Sequence, residues 1–311
     1  MRIALVTPAG PGTRNGNRHT ALRWAAFLRN AGYRVNVAVE WSGDACDAML
    51  ALHARRSHPS IKKFPKDKPL VLALTGTDVY RDIHESADAR ESLELADRLI
   101  VLQPKAAEQL PARLRTKARV VVQSSPTRLR QRAVRASFRV CVIGHLRAEK
   151  DPLRMLLALA HIPGHLPLEV IQLGGALDPA LAPKTEDRRY RWLGSVPHAR
   201  ALTWLASSHV MVISSRMEGG ANVICEALRI GVPVLASHIS GNIGLLGAGY
   251  AGYFPLEDER TLAGLVTRAA TDPRYYRKLK AQIAPLRKNV APQAEAHALL
   301  AVMRDATARR G

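Results

Sequence analysis

Residues 214–236 read SSRMEGGANVICEALRIGVPVLA, and their order of turn, helix and strand decides the fold. The β-branched run at 210–213 just ahead reads as a strand. Residues 214–220 hold a glycine pair, a turn signal, and a helix follows from about Ala221. Gly231 stands where a helix ends in the left-handed conformation, and Pro233 prevents continuation. The run 232–236 is then the next strand. Strand, helix and strand in this order form the repeating unit of a parallel sheet covered by helices. The turn also has chemistry: Gly219 and Gly220 let backbone N–H groups approach a ligand, and the helix start adds free donors and a positive dipole end, a combination suited to a diphosphate. Glu218 sits at the mouth of the turn, and Glu226 lies about one and a half helical turns inside. Glu226 is flanked by Cys225, Ala227 and Leu228, so its carboxylate needs hydrogen-bond donors. A ribose diol offers two, each worth roughly 1.5–3 kcal/mol to a charged acceptor. The competing reading is a solvated helix glutamate preceded by one that complements the dipole.

Working outward, the same alternation fills the chain. Strands are expected at 2–6, 34–39, 47–52, 70–74, 98–102 and 119–122, with helices at 18–31 and 87–96. After the tract PTRLRQRAVRAS (126–137), which breaks the pattern, strands are expected at 139–143, 168–173, 190–193, 210–213 and 232–236. Helices there are expected at 152–161, 199–207, 221–230 and 261–271, and from 275 onward with an interruption at Pro285. The fold class is therefore α/β, with two doubly wound parallel-sheet domains: residues 1–130, residues 131–285, and a closing helix at 286–311. Ligands bind at the carboxyl ends of parallel strands, so the cleft between the domains is the expected active site.

Composition narrows the partners. Hydrophobic residues make up 47% of the 311, and no apolar run approaches the ~18 residues needed to span a bilayer. The opening MRIALVTPAG is too short for a secretory h-region and reads as a first strand, so a cytoplasmic location without stable membrane insertion is expected. Cys46, Cys141 and Cys225 lie far apart in apolar surroundings and read as buried reduced thiols. The formal charge is +20, and from Gln109 to Ala148 there is no acidic residue while arginines accumulate. Aromatics are only 5%, too few for base-stacking platforms, so nucleic acid is not the expected partner. Most of the charge reads as solvated surface, with a few arginines serving phosphate groups.

Segment 214–236 resembles the paired-glutamate signature of retaining GT-B glycosyltransferases of the glycogen-synthase-like family 4 group. That resemblance implies that Glu218, with the backbone of Gly219, Gly220, Ala221 and Asn222, holds the donor sugar and its diphosphate, and that Glu226 holds the ribose. A second block, VCVIGHLRAEKDP (140–152), is similar to the family's strand, glycine and following lysine. It implies that Lys150 neutralises the departing diphosphate. His145 stands where the family usually has an arginine, with Arg147 as the candidate substitute. WLGSVPH (192–198) resembles the strand-loop whose backbone reads the nucleobase, which places the base near Val196.

In the first domain, Gly10, Gly12 and Gly16 give GxGxxxG, one residue off the dinucleotide fingerprint, and mark a glycine-rich loop meeting a helix start. Gly16 is assigned to the donor side, and Asn17 and Arg18 to the acceptor. His53, Arg55, Thr75 and Thr77 lie at expected strand carboxyl ends and are acceptor candidates, although His53 and Arg55 read almost as well as an exposed basic turn. Together GNRHTALRWA, LHARRS, LTGTDVYRD, GHLRAEKDP and ISGNIGLLG resemble the selenosugar synthases of selenoneine biosynthesis over nearly the whole chain. That family implies a UDP-sugar donor (UDP-glucose or UDP-N-acetylglucosamine) and selenophosphate as acceptor. A carbon–selenium bond would form at the anomeric carbon, with loss of UDP and phosphate. No HExxH or CxxC spacing is present, so no metal or other cofactor is expected.

Three other readings stay open. One is an ordinary family 4 glycosyltransferase acting on a lipid, polysaccharide or small-molecule hydroxyl. Another is a nicotinamide-dependent oxidoreductase, suggested by the near-fingerprint and Glu40. The last is a nucleic-acid binder, suggested by the charge.

Overall fold

The computed structural model describes residues 1–13 and 16–309. The chain divides into two compact units, residues 1–123 with 292–311, and residues 124–291. The first holds β1 (Arg2–Val6), α1 (Gly16–Asn30), β2 (Arg34–Ala38), β3 (Ala48–Leu52), α2 (His58–Lys63), β4 (Leu70–Leu74), α3 (Ile83–Glu85), α4 (Ala87–Leu95), β5 (Arg98–Val101), β6 (Ala118–Val120) and the late helix α11 (Pro292–Ala308). Its strands pair in parallel in the order β2-β1-β3-β4-β5-β6. Central strands β3 (AMLAL) and β4 (LVLAL) are buried at every position, as parallel strands covered on both faces require.

Helix α1 buries Thr20, Ala21, Trp24, Ala25 and Leu28, a stripe at three- and four-residue spacing. That stripe shares a core with Ile3, Leu5, Leu50 and Leu52 and with Leu299, Val302 and Met303 of α11. A buried charge fixes the pairing of the two helices. Glu295 is 1% exposed and accepts from Arg23 Nε (2.8 Å) and Nη2 (3.0 Å) and from Trp24 Nε1 (2.7 Å). A carboxylate so deeply buried persists only because every donor converges on it, and removing one partner of such a pair typically costs about 3–5 kcal/mol. At the far end of α11, hydrogen bonds from Arg98, followed by the charge of Arg98 and Arg119, hold Asp305 down to about 2 despite opposing desolvation. The sequence reading begins a closing helix at residue 286. Residues 284–288 instead form a short 3₁₀ turn, and the helix starts at Pro292, a residue suited to a first helical position.

The second unit holds β7 (Phe138–Ile143), α5 (Arg154–Ala158), β8 (Leu168–Leu173), β9 (Tyr190–Trp192), α6 (His198–Ala206), β10 (Val210–Ile213), α7 (Asn222–Ile230), β11 (Val234–Ser237), α8 (Ser240–Leu246), β12 (Tyr253–Phe254), α9 (Glu259–Thr271) and α10 (Pro273–Ile283). Its parallel sheet runs β12-β11-β10-β7-β8-β9. Gly231 closes α7 with φ +91°, the left-handed cap expected of it. Helix α8 and strand β12 are not anticipated by the sequence reading. The first hides in the glycine-rich ISGNIGLLG, and the second is too short for any periodicity.

All three cysteines are buried, and none forms a disulfide among the described residues. Burial pushes the Cys141 thiol up to about 12 and raises that of Cys46, so neither is poised as a thiolate nucleophile.

Candidate functional site

In the second unit the sequence-predicted donor residues gather at the carboxyl ends of β7, β8, β9 and β10. The loop leaving β10 is tied to the loop leaving β7 by several bonds. Arg216 N donates to Glu149 O (2.9 Å), Arg216 Nη1 to Ala148 O (3.1 Å), and Ser214 Oγ to Asp151 O (2.7 Å). These bonds bring Lys150 to Glu218: Nζ donates to Oε1 at 2.5 Å, and Ser215 Oγ donates to the same oxygen at 2.6 Å. Glu218 is 8% exposed, so its carboxylate depends on those two donors for hydrogen bonding. Lys150 carries three N–H donors and is a quarter exposed, leaving it able to meet a further anion.

Helix α7 begins at Asn222 directly after this loop. Its N-cap is Ala221, which offers no side-chain acceptor, and its first turn holds no acidic residue. The N-cap side chain therefore caps none of the opening N–H groups, which suits a helix start to binding an anion. Glu226 is turned toward the neighbouring helix, where His198 Nε2 lies 2.7 Å from its Oε1. The Glu226 side chain is 13% exposed and that of His198 54%, so the bond sits at the edge of solvent. His198 belongs to the WLGSVPH block, but sequence reasoning gave it no partner. Val196, two residues earlier, is half-buried.

Glycines line the strand ends. Gly174 N donates to Gly194 O (2.8 Å) and Gly144 N to Leu173 O (2.9 Å), while Trp192 Nε1 donates to Gly174 O (2.8 Å). A Cβ on Gly174, whose φ is +142°, would fall 1.9 Å from Gly144 O, so only glycine fits there. Gly175 N donates to His145 Nδ1 at 3.2 Å, which orients that ring. The part played by Gly174 and Gly175 was missed, and their signal was the glycine pair directly following β8. Arg147 is exposed beside this row.

The Glu218 turn is backed by α8. A Cβ on Gly241 would lie 2.0 Å from the carbonyl oxygen of Glu218. Gly241→Ala must therefore push that turn by about 1 Å, a displacement that at a reacting centre typically costs on the order of 100-fold in rate. We expect Gly241→Ala to fold, to show the same circular dichroism, and to lose about two orders of magnitude in kcat/KM; a normal kcat/KM would show that the turn need not be held in this position.

The acceptor candidates lie in the first unit. Asp78, fully buried, accepts from the backbone N–H of Thr75 (2.9 Å), Gly76 (2.7 Å) and Ala54 (3.1 Å), clamping the ends of β3 and β4 together. Around this clamp stand His53, Thr75 and Thr77, with His53 Nε2 3.3 Å from Thr77 Oγ1. His53 has φ +76°, a strained conformation for a histidine at a strand end. Two of the expected cations supply less charge than the sequence suggests. Burial is the main cause that lowers the pKa of His53, ahead of the opposing pull of Asp78, so the neutral imidazole prevails at neutral pH. Arg55 Nε is committed to Asp82 Oδ2 at 2.9 Å. Gly16, Asn17 and Arg18 form the first turn of α1. Among the described residues, the grouping of side chains able to share a metal ion is His58, Asp88 and Glu91 in this unit, and none of them is a donor candidate.

Two parallel six-stranded sheets with a phosphate-suited helix start at the strand ends of the second define a GT-B fold, the architecture of glycosyltransferases. Residues 137–272 match the family described as glycosyl transferases group 1. The chain is similar over 99% of its length to 99% of sucrose-phosphate synthase (tll1590) from Thermosynechococcus elongatus, with a TM-score of 0.79 at 16% identity. It is similar over 98% to the whole of Alr3699/HepE from Anabaena in complex with UDP and glucose (TM-score 0.75, 15% identity). It is also similar over 98% to 99% of the lipopolysaccharide outer core galactosyltransferase WaaB in its apo form (TM-score 0.70, 13% identity). At these identities the likeness is one of fold. Among curated proteins nothing matches the chain. No helix among the described residues is long and apolar enough to cross a membrane.

Proposed function

We propose that the protein is a glycosyltransferase that takes glucose or N-acetylglucosamine from a UDP-sugar and joins it to selenophosphate. The observation that carries the donor half is the Lys150–Glu218–Ser215 cluster at the uncapped start of α7, with Glu226 farther along the same helix. HepE, whose fold this chain shares, is seen with UDP and glucose and with UDP-glucose, which supports a uridine donor here. On this reading the diphosphate lies against the N–H groups of Gly219, Gly220, Ala221 and Asn222, with Lys150 Nζ on its leaving oxygen. Glu218 faces the sugar, Glu226 accepts from the ribose hydroxyls, and Val196 borders the base beside His145 and Gly174. The C1–O bond to the diphosphate breaks with its electron pair leaving on oxygen. Lys150 and the helix start stabilise that charge, so the step needs no metal ion.

The acceptor half follows from the sequence blocks that resemble selenosugar synthases. Selenophosphate is already an anionic nucleophile and requires no strong general base. The neutral His53, the hydroxyls of Thr75 and Thr77, and Asn17 and Arg18 of α1 are the groups assigned to it, with Arg55 positioned through Asp82. Selenium bonds to the anomeric carbon, UDP departs, and water then cleaves the phosphorus–selenium bond to release phosphate. The second reading, a family 4 enzyme with a hydroxyl acceptor, shares the whole donor half.

Mass spectrometry of products from a panel of UDP-sugars with selenophosphate separates the two. The expected result is a selenium-bearing sugar with one UDP and one phosphate released per turnover. UDP release that depends on a hydroxyl acceptor and is indifferent to selenophosphate would transfer the assignment to the second reading.

A further inference from the structure

The donor reading uses His145 and Arg147 from the arginine-rich, acid-free stretch between residues 109 and 148, and leaves the arginines at 128, 130, 132 and 135 without a task. A second acid-free stretch runs from 273 to 294, far away in sequence. The fold of the second unit brings the two together at the carboxyl end of α7. Gln131 N donates to Ile230 O (3.1 Å), and Lys280 Nζ donates to Gln131 Oε1 (2.5 Å) and Gly231 O (2.6 Å). Arg287 stands in the turn 284–288, which packs against α7, and there it faces the charges of Arg229 from the last turn of α7 and of Arg130 from the tract 126–137.

Arginines at a helix end usually find its free carbonyls. Here several of those acceptors are already engaged: Ala227 O accepts from Gly231 N and Val232 N (both 2.8 Å), Ile230 O from Gln131, and Gly231 O from Lys280. Arg229 Nε and Arg287 Nε and Nη2 are buried and have no hydrogen-bond partner among the described residues. The carboxylates next along these elements are engaged elsewhere, Glu226 with His198 and Asp272 with the first turn of α10 and with Arg268. Burial, and then the charges of Arg130 and Arg229, lower the pKa of Arg287; burial, and then Arg287, lower that of Lys280. Like charges thus converge on buried donors that have no protein acceptor. A water molecule would satisfy a donor and leave the charges facing one another, whereas an anion answers both requirements.

We propose that Arg130, Arg229 and Arg287 form a binding site for a phosphate group, at the end of α7 opposite the donor-binding turn. Planar guanidinium forks bind phosphate oxygens in pairs, which fits this chemistry better than it fits a monatomic anion. The phosphate belongs either to a free phosphate or phosphate ester, or to the headgroup of an anionic lipid.

The test compares melting temperatures of the full chain and of Arg287→Met, each with and without millimolar inorganic phosphate and always with saturating UDP. Phosphate bound at any other site raises both proteins alike. Without phosphate the variant should melt at the same temperature as wild type or higher, because a like charge and two orphaned donors are gone. With phosphate, wild type should gain about 3 °C more than the variant. An equal gain in both overturns the site. Arg130→Gln, at an exposed position, repeats the comparison should Arg287→Met fail to fold, and a phosphate gain equal to wild type's again overturns it. Flotation with phosphatidylglycerol and with phosphatidylcholine vesicles distinguishes the sources. Arg287-dependent flotation with the anionic vesicles alone assigns the phosphate to lipid, and no flotation alongside a preserved thermal difference assigns it to a free ester.

Discussion

Replacing Glu226 with alanine should weaken UDP binding by about 100-fold or more while leaving the affinity for inorganic pyrophosphate unchanged. The magnitude follows from two charged hydrogen bonds to a ribose diol, each worth roughly 1.5–3 kcal/mol. The selectivity follows from position. Glu226 lies in the body of α7, whereas the diphosphate is assigned to the N–H groups at its start. Glu226 is engaged with His198 on one oxygen, and that histidine is half in solvent, so a ribose can take the other oxygen or displace the ring. Removal of the carboxylate leaves no buried positive charge unpaired, since the His198 side chain is 54% exposed and faces water. The fold should therefore survive, and calorimetric titration with UDP and with pyrophosphate reads the effect cleanly. Equal losses for both ligands would move Glu226 from the ribose to the phosphates, and no loss for either would remove it from the site.

Lys150→Ala should lower kcat by about 100- to 1000-fold, the range seen when a group stabilising transition-state charge is deleted. In the protein Lys150 is the cation held on Glu218, and the loop bonds from Arg216 and Ser214 fix where its ammonium lies. The alanine also leaves Glu218 with Ser215 as its one remaining donor among the described residues, so some stability is lost with the charge. Lys150→Arg separates the two effects. It keeps the ion pair and the charge while changing the position of the donors, and it should melt like wild type yet turn over slowly. Rates measured at saturating donor, beside melting curves, make the distinction; a Lys150→Ala enzyme within a few-fold of the normal kcat would exclude a leaving-group role.

Most of the second unit was legible because its signals are local. The turn and helix of 214–236 carry their own start, cap and stop, so the pairing of a glycine-rich turn with two carboxylates could be read before any contact was known. The Lys150–Glu218 ion pair was not legible, because it depends on β7 and β10 lying side by side in the sheet. His198 was quoted as part of a base-reading loop, and its bond to Glu226 depends on α6 lying against α7. Gly241 and Gly174 were invisible for a different reason. Their requirement is steric, imposed by the carbonyls of Glu218 and Gly144 from other segments, and no sequence pattern marks a missing Cβ. For the acceptor candidates His53 and Arg55, the charge expected from the sequence differs from the charge the fold allows. Burial neutralises His53 and Asp82 occupies Arg55, both consequences of the fold and not of the sequence LHARRS.

A crystal structure of the full chain with UDP shows directly where the nucleotide diphosphate sits. Diphosphate oxygens should lie within hydrogen-bond distance of the backbone N–H groups of residues 219–222 and of Lys150 Nζ, with the ribose hydroxyls on Glu226. UDP bound away from the start of α7, or seated there with Glu226 turned to solvent, would contradict this placement.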